Sequence, residues 1–133
     1  CFWAWPYELN GEFGGRQPQK GVRPAEGFPP DTKIGMPTAR ANTTIAAVAV
    51  NLKLSKPQAK RLAIMAQDGL ARAIRPVHAP ADGDVVFALG TGRLDLPEPA
   101  PLSMTRLGTL AADCLARAVA RGVFAAEERA KSV

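Results

Sequence analysis

A break in composition at residue 42 constrains this chain more than any other feature. Residues 10–41 are dense in glycine and proline, with Gly14-Gly15, Pro18, Pro24, Pro29-Pro30 and Pro37, whereas residues 43–50 read Thr-Thr-Ile-Ala-Ala-Val-Ala-Val. Proline withholds an amide donor and glycine costs backbone entropy, so the first stretch cannot hold a continuous helix or ladder. It is expected to be a linker, mobile at least in its second half, that runs into a strand. The β-branched residues of 43–50 are separated by alanines without strict polar alternation, which predicts a central strand covered on both faces. Mobile backbone just ahead of a buried strand is where a chain can be cut without dismantling its core.

The remaining elements follow from periodicity and punctuation. Ser55 and Gln58 form a capping-box pattern with Pro57 in the first turn, and Ala59, Leu62, Ala63, Ala66, Leu70, Ala73 and Ile74 recur at helical spacing. A helix over 55–74 is predicted, weakened at Gly69 and stopped before Pro76. Asp82-Gly83-Asp84 has turn chemistry and leads into a short strand, 85–89, ended by Gly90 and Gly92. After Pro97, Pro99 and Pro101, an apolar stripe of Met104, Leu107, Leu110, Ala111, Cys114, Leu115, Ala118 and Val119 predicts a helix from about 103 to about 121, with Gly122 as its stop. The order strand, helix, strand, helix points to α+β or layered α/β, although two strands cannot make a full sheet alone.

A chain of 133 residues, 47% apolar, has material for one modest core. It opens Cys1-Phe2-Trp3-Ala4-Trp5-Pro6 without an initiator methionine. The aromatic run resembles the interior of a fold, so a segment of something longer is expected. No membrane span or leader is visible, and a cytoplasmic protein without membrane partners is expected. Cys1 and Cys114 form no CxxC or Cys/His cluster, so no disulfide, metal or other cofactor is expected. The net charge of +5 raises nucleic-acid binding as a possibility, but the basic cluster Lys53, Lys56, Lys60 and Arg61 lacks interleaved aromatics and reads as a solvated helix face.

The candidate chemistry lies at Asn42-Thr43-Thr44. A threonine hydroxyl is a poor nucleophile unless a base adjoins it, and an N-terminal threonine carries its own base in the freed α-amine. The same hydroxyl can attack the Asn42 carbonyl by an N-to-O acyl shift, so one atom would serve both maturation and turnover. From spacing alone, Thr43 and Thr44 read more readily as ordinary strand residues. Asp82 and Asp84 likewise read as a tight turn with solvated aspartates. His78 reads as a residue of a proline-flanked loop, since an N-terminal nucleophile does not require it.

Several ordered blocks change that balance. Residues 42–50, Lys60-Arg61-Leu62-Ala63, Asp68-Gly69-Leu70-Ala71-Arg72, and Asp82-Gly83-Asp84 with Val86-Phe87-Ala88-Leu89 together resemble the C-terminal region of the self-processing aminopeptidase/amidase family. That family includes the L-aminopeptidase/D-esterases, the β-peptidyl aminopeptidases and the endo-type nylon-oligomer hydrolases. Trp3-Ala4-Trp5-Pro6-Tyr7-Glu8 and Gly11-Glu12-Phe13-Gly14-Gly15 resemble the stretch before the cleavage site. The resemblance implies a four-layer α/β/β/α fold of the N-terminal-nucleophile type, assembled from two pieces of one precursor. Residues 1–42 would end the larger piece and 43–133 would form the smaller one, beginning with the nucleophile. It further implies autocleavage between Asn42 and Thr43, catalytic roles for Thr43, Asp82 and Asp84, and a homo-oligomer.

A threonine preceded by asparagine is most similar to the nylon-oligomer hydrolase branch, so linear amide oligomers such as 6-aminohexanoate oligomers are the implied substrates, with short peptides close behind. The family's site also draws a lysine, an asparagine and a tyrosine from the upstream part of the precursor. Lys53 and Asn51 do not match those positions, and the upstream part is therefore an expected partner. Two other readings compete: an acyltransferase resembling glutamate N-acetyltransferase, which would share Thr43, and a truncated, non-catalytic remnant.

Overall fold

The computed structural model describes residues 1–21, 23, 27, 43–80 and 82–132; Asn42 and the second half of the expected linker lie outside them. The chain is mixed α/β. A single 3-10 turn at Trp5–Tyr7 precedes strand β1 (Ile45–Leu52), helix α1 (Lys56–Ala73), strand β2 (Val85–Leu94) and helix α2 (Ala100–Lys131). β1 and β2 pair in parallel, from Ile45 opposite Val85 to Val50 opposite Gly90, and the register shifts before Leu52 meets Leu94. Parallel neighbours need a crossover connection, and α1 provides it.

Local chemistry starts α1 where the sequence places it. The Gln58 amide donates to the Ser55 hydroxyl, and the Ser55 amide donates to Gln58 Oε1 at 2.8 Å, with Pro57 in the first turn. Leu62, Ala66 and Leu70 recur every four residues and are fully buried. They pack with Val86, Met104, Ala111 and Leu115 into the main core. Gly69, expected to weaken the helix, instead permits its packing. An added Cβ there would overlap the Ala112 carbonyl oxygen and come within 2.9 Å of Leu115 Cβ. At Gly108 an added Cβ would run into the Met65 thioether.

That close approach corrects the expected stripe on α2. Its buried residues are Met104, Gly108, Ala111, Ala112, Leu115, Ala116 and Ala120. Leu110, at 62% exposure, Cys114 and Ala118 face outward instead. Met104, Leu107, Ala111, Leu115 and Val119 meet the core as expected, and small side chains that bring the two helix backbones together add Gly108, Ala112 and Ala116 to the contact ridge. The helix also runs about ten residues past its expected end. A Cβ at Gly122 meets nothing, and one glycine costs only about 1 kcal/mol in a helix, too little to end it. Phe124, two residues later, is anchored edge-on against Phe2.

β2 likewise passes through Gly90 and Gly92 to Leu94. Gly90 admits the Leu52 carbonyl oxygen, which a Cβ would overlap, and Gly92 takes φ +72 beside the register shift. Glycine here marks an irregularity in the ladder, not its end. The expectation that residues 43–50 are covered on both faces is also corrected. Burial along β1 alternates, with Ala46, Val48 and Val50 on the core while Ile45, Ala47 and Ala49 are exposed. Both helices contact the sheet, and among the described residues nothing covers its other face.

The N-terminal segment forms a second, smaller core. Ala4 and Phe13 are buried with Ala116 and Ala120 of α2, while Trp3 and Trp5 remain exposed, so the aromatic run caps the fold more than it fills it. Glu8 Oε1 accepts from the amides of Phe13 and Gly15, closing the turn between them. Arg72 lies over the Tyr7 ring and Arg75 over Trp3. The Glu12 carboxylate accepts from Arg117 and lies 3.5 Å from Arg121. The Arg117 hydrogen bond, with both guanidinium charges, holds the Glu12 carboxyl below its ordinary value of 4.5. Its contribution to stability is complete above that value and is lost as pH falls through the lowered one.

Candidate active site

The site lies where both strands begin. Ahead of the first ladder pair, the Val85 amide donates to the Thr44 carbonyl at 2.9 Å, and the Thr44 amide donates to Asp84 Oδ1 at 2.8 Å. Thr44 is thus held on both sides of its backbone by two consecutive residues, Asp84 and Val85, at the start of the neighbouring strand. This fixes the position of Thr43, which is exposed. An ideal Cβ on Gly83 would stand 2.8 Å from Thr43 Oγ1 and 3.4 Å from its methyl carbon. The Thr43 hydroxyl therefore rests against the Gly83 backbone, and a side chain at position 83 would have to displace it.

Asp84 is not a solvated turn residue: its side chain is 2% exposed. One carboxylate oxygen takes the Thr44 amide, while the other accepts from the His78 amide at 3.4 Å and lies 3.4 Å from His78 Nδ1. Asp82 works within the loop. Its Oδ2 accepts from the Ala79 amide at 3.0 Å, and its own amide donates back to the Ala79 carbonyl at 2.8 Å. The fold thus brings Thr43, Asp82 and Asp84 to one end of the sheet, with Asp84 reaching Thr43 through the neighbouring amide. Asn42 falls outside the described residues.

Gly83 was not singled out from the sequence, and His78 was read only as a loop residue. Gly83 could have been, because a glycine between two aspartates signals a close backbone approach. His78 does occupy a loop, as expected, but it is bound to Asp84 and holds φ +54, a region uncommon for residues with a side chain. No sequence pattern encodes that contact. Among the described residues there is no group of three or more His, Cys, Asp and Glu placed to hold a metal ion. None of the described helices is long and apolar enough to cross a membrane.

At the start of the strand, an exposed hydroxyl thus lies against a glycine backbone and is followed by an amide bound by a buried carboxylate. An uncharacterized aminopeptidase of Mycobacterium tuberculosis (strain ATCC 25618 / H37Rv) is 44% identical over 92% of this chain and 38% of its own length. One from Mycobacterium leprae (strain TN) is 42% identical over 92% of this chain and 35% of its own. The 6-aminohexanoate-oligomer endohydrolase of Kocuria sp. (strain KY2) is 34% identical over 77% of this chain and 25% of its own. The chain spans well under half the length of these curated relatives. The family model described as Peptidase family S58 matches residues 8–132, and the chain belongs to that family.

Proposed function

We propose that this chain is the C-terminal portion of an N-terminal-nucleophile amide hydrolase that cuts itself between Asn42 and Thr43. The observation that carries the reading is the Thr43 hydroxyl packed against Gly83, one residue from an amide bound by Asp84. In maturation, Thr43 Oγ1 adds to the Asn42 carbonyl carbon and the peptide C–N bond breaks, leaving an ester. Water opens the ester, giving an Asn42 carboxylate and a Thr43 with a free α-amine.

In turnover, that amine takes the hydroxyl proton as Oγ1 attacks the substrate carbonyl, and the proton passes to the departing amine. Water then hydrolyses the acyl-threonine ester. Asp82 and Asp84 supply the negative charge that favours the transient ammonium. The substrates are short peptides or linear amide oligomers, by analogy with the aminopeptidases and the 6-aminohexanoate-oligomer endohydrolase. The remaining groups of the site come from the upstream part of the precursor. Its second sheet stacks on the face bearing Ile45, Phe87 and Leu89, completing a four-layer α/β/β/α sandwich; their exposure supports this reading.

The test is a series in the complete precursor. Thr43→Ala is expected to remain one uncut chain without amidase activity, whereas Thr43→Ser retains part of both functions because it loses only a methyl group. Thr44→Ala keeps the amide that Asp84 accepts and should behave as the parent. Mass spectrometry reads the cut and amide hydrolysis reads turnover. If Thr43→Ala still yields a fragment beginning at residue 43, self-processing is wrong.

A further inference from the structure

We infer that His78 is a positioning residue: it holds the second oxygen of Asp84 so that the first can fix the Thr44 amide and, with it, the Thr43 hydroxyl. The contact is made by two nitrogens of one residue. Both the main-chain nitrogen and ring Nδ1 of His78 lie 3.4 Å from Asp84 Oδ2. Single long contacts of this kind are weak, but together they face an oxygen belonging to a carboxylate that is 2% exposed. Removing the ring takes one polar neighbour from a carboxylate so enclosed while the Thr44 and His78 amides stay, so the hold on Asp84 loosens without being lost.

Any such shift has a short path to the nucleophile. Asp84 Oδ1 accepts from Thr44 at 2.8 Å, Val85 donates to the Thr44 carbonyl at 2.9 Å, and Gly83 is the residue against which Thr43 Oγ1 rests. Gly83, Asp84 and Val85 are consecutive, so the strip of backbone that His78 braces at its centre touches both Thr43 and Thr44. The His78 side chain is itself 38% exposed, and its removal opens no hole in the core. The residue also sits at φ +54, where an asparagine or glycine is at ease and an alanine is strained. That backbone defines a clean test.

His78→Gly keeps the backbone conformation and its amide and removes the ring nitrogen, whereas His78→Asn keeps the conformation and returns a side-chain amide near the place of Nδ1. Both variants are compared with the parent in the complete precursor. The first readout, Thr44 amide hydrogen exchange, is independent of any activity. Exchange should quicken about tenfold in His78→Gly and recover in His78→Asn. The second readout rests on the proposed role of Thr43: the rate of cutting and kcat should fall about tenfold or more in His78→Gly with KM unchanged, and return to within about threefold in His78→Asn.

If Thr44 exchange is the same in all three proteins, or if asparagine fails to restore it, His78 does not position Asp84 and the inference is overturned. If exchange responds as expected while cutting and kcat do not, His78 braces Asp84 without serving the nucleophile, which also overturns it. Failure of the proposed function is separate, because it is read from the Thr43→Ala variant, whose uncut state does not depend on His78.

Discussion

The inward face of the β1–β2 sheet sets Ala46, Val48, Val50, Val86 and Ala88 against the core that Leu62 and Leu70 of α1 share with Leu115 of α2. The outward face of the same strands leaves Ile45 at 72%, Phe87 at 59% and Leu89 at 50% exposure. A strand wetted on one side normally alternates apolar with polar residues, and these strands do not. Each large apolar side chain left in water forgoes roughly 1.5–3 kcal/mol of burial. The difference teaches that, among the described residues, these apolar strands have one cover, and a second is what the proposed precursor would supply.

The strongest way to break this comparison is to charge the covered side. Leu62→Asp buries an unpaired carboxylate between the helices and should cost about 3–5 kcal/mol, read by urea or thermal unfolding. A neutral outcome would mean that the inward face is not the core.

A sharper probe is a matched pair of glycines on the two helices. Gly69→Ala forces a methyl group onto the Ala112 carbonyl and should destabilise by about 1–3 kcal/mol, although alanine is the better helix former. Gly122→Ala, in open space, should instead stabilise by about 0.5–1 kcal/mol. Equal signs would show that the helices do not touch where α1 crosses α2.

The smallest effect is expected on the bare face. Phe87→Ser should change the stability of this chain by no more than about 0.5 kcal/mol, since the ring has little to lose there. In the complete precursor, with a second sheet stacked on it, the same substitution should cost about 3 kcal/mol or more. A small cost in both would remove the second cover from the proposal.

Helix α1 was legible because its signals are local: the Ser55–Gln58 capping box, Pro57 and a four-residue repeat of buried side chains. The ends of β2 and α2 were not. Gly90, Gly92 and Gly122 read as stops, but pairing with β1 carries one element past its glycines, and a single helical glycine is too cheap to end the other. The apolar character of β1 was legible, yet which face would be covered depends on atoms outside the strand. At the site, no spacing rule brings residue 43 beside residue 83. That meeting arises from the parallel pairing of β1 with β2, and family resemblance anticipated it where periodicity could not. The His78 contact depends on a left-handed backbone at one residue, which composition does not reveal.

The clasp at the chain's beginning has a consequence for reaction order. Glu12 and Arg117 are 105 positions apart in sequence, yet they hold the first residues against α2. While the backbone between them is continuous, loosening the clasp is a unimolecular event and re-closing it is fast at any dilution. A single break between Asn42 and Thr43 turns the same contacts into an association between separate molecules. Mass action then governs them, so that the melting temperature acquires a dependence on protein concentration and re-closing becomes second order. One hydrolysed bond would thus move this protein from folding alone to folding as a complex.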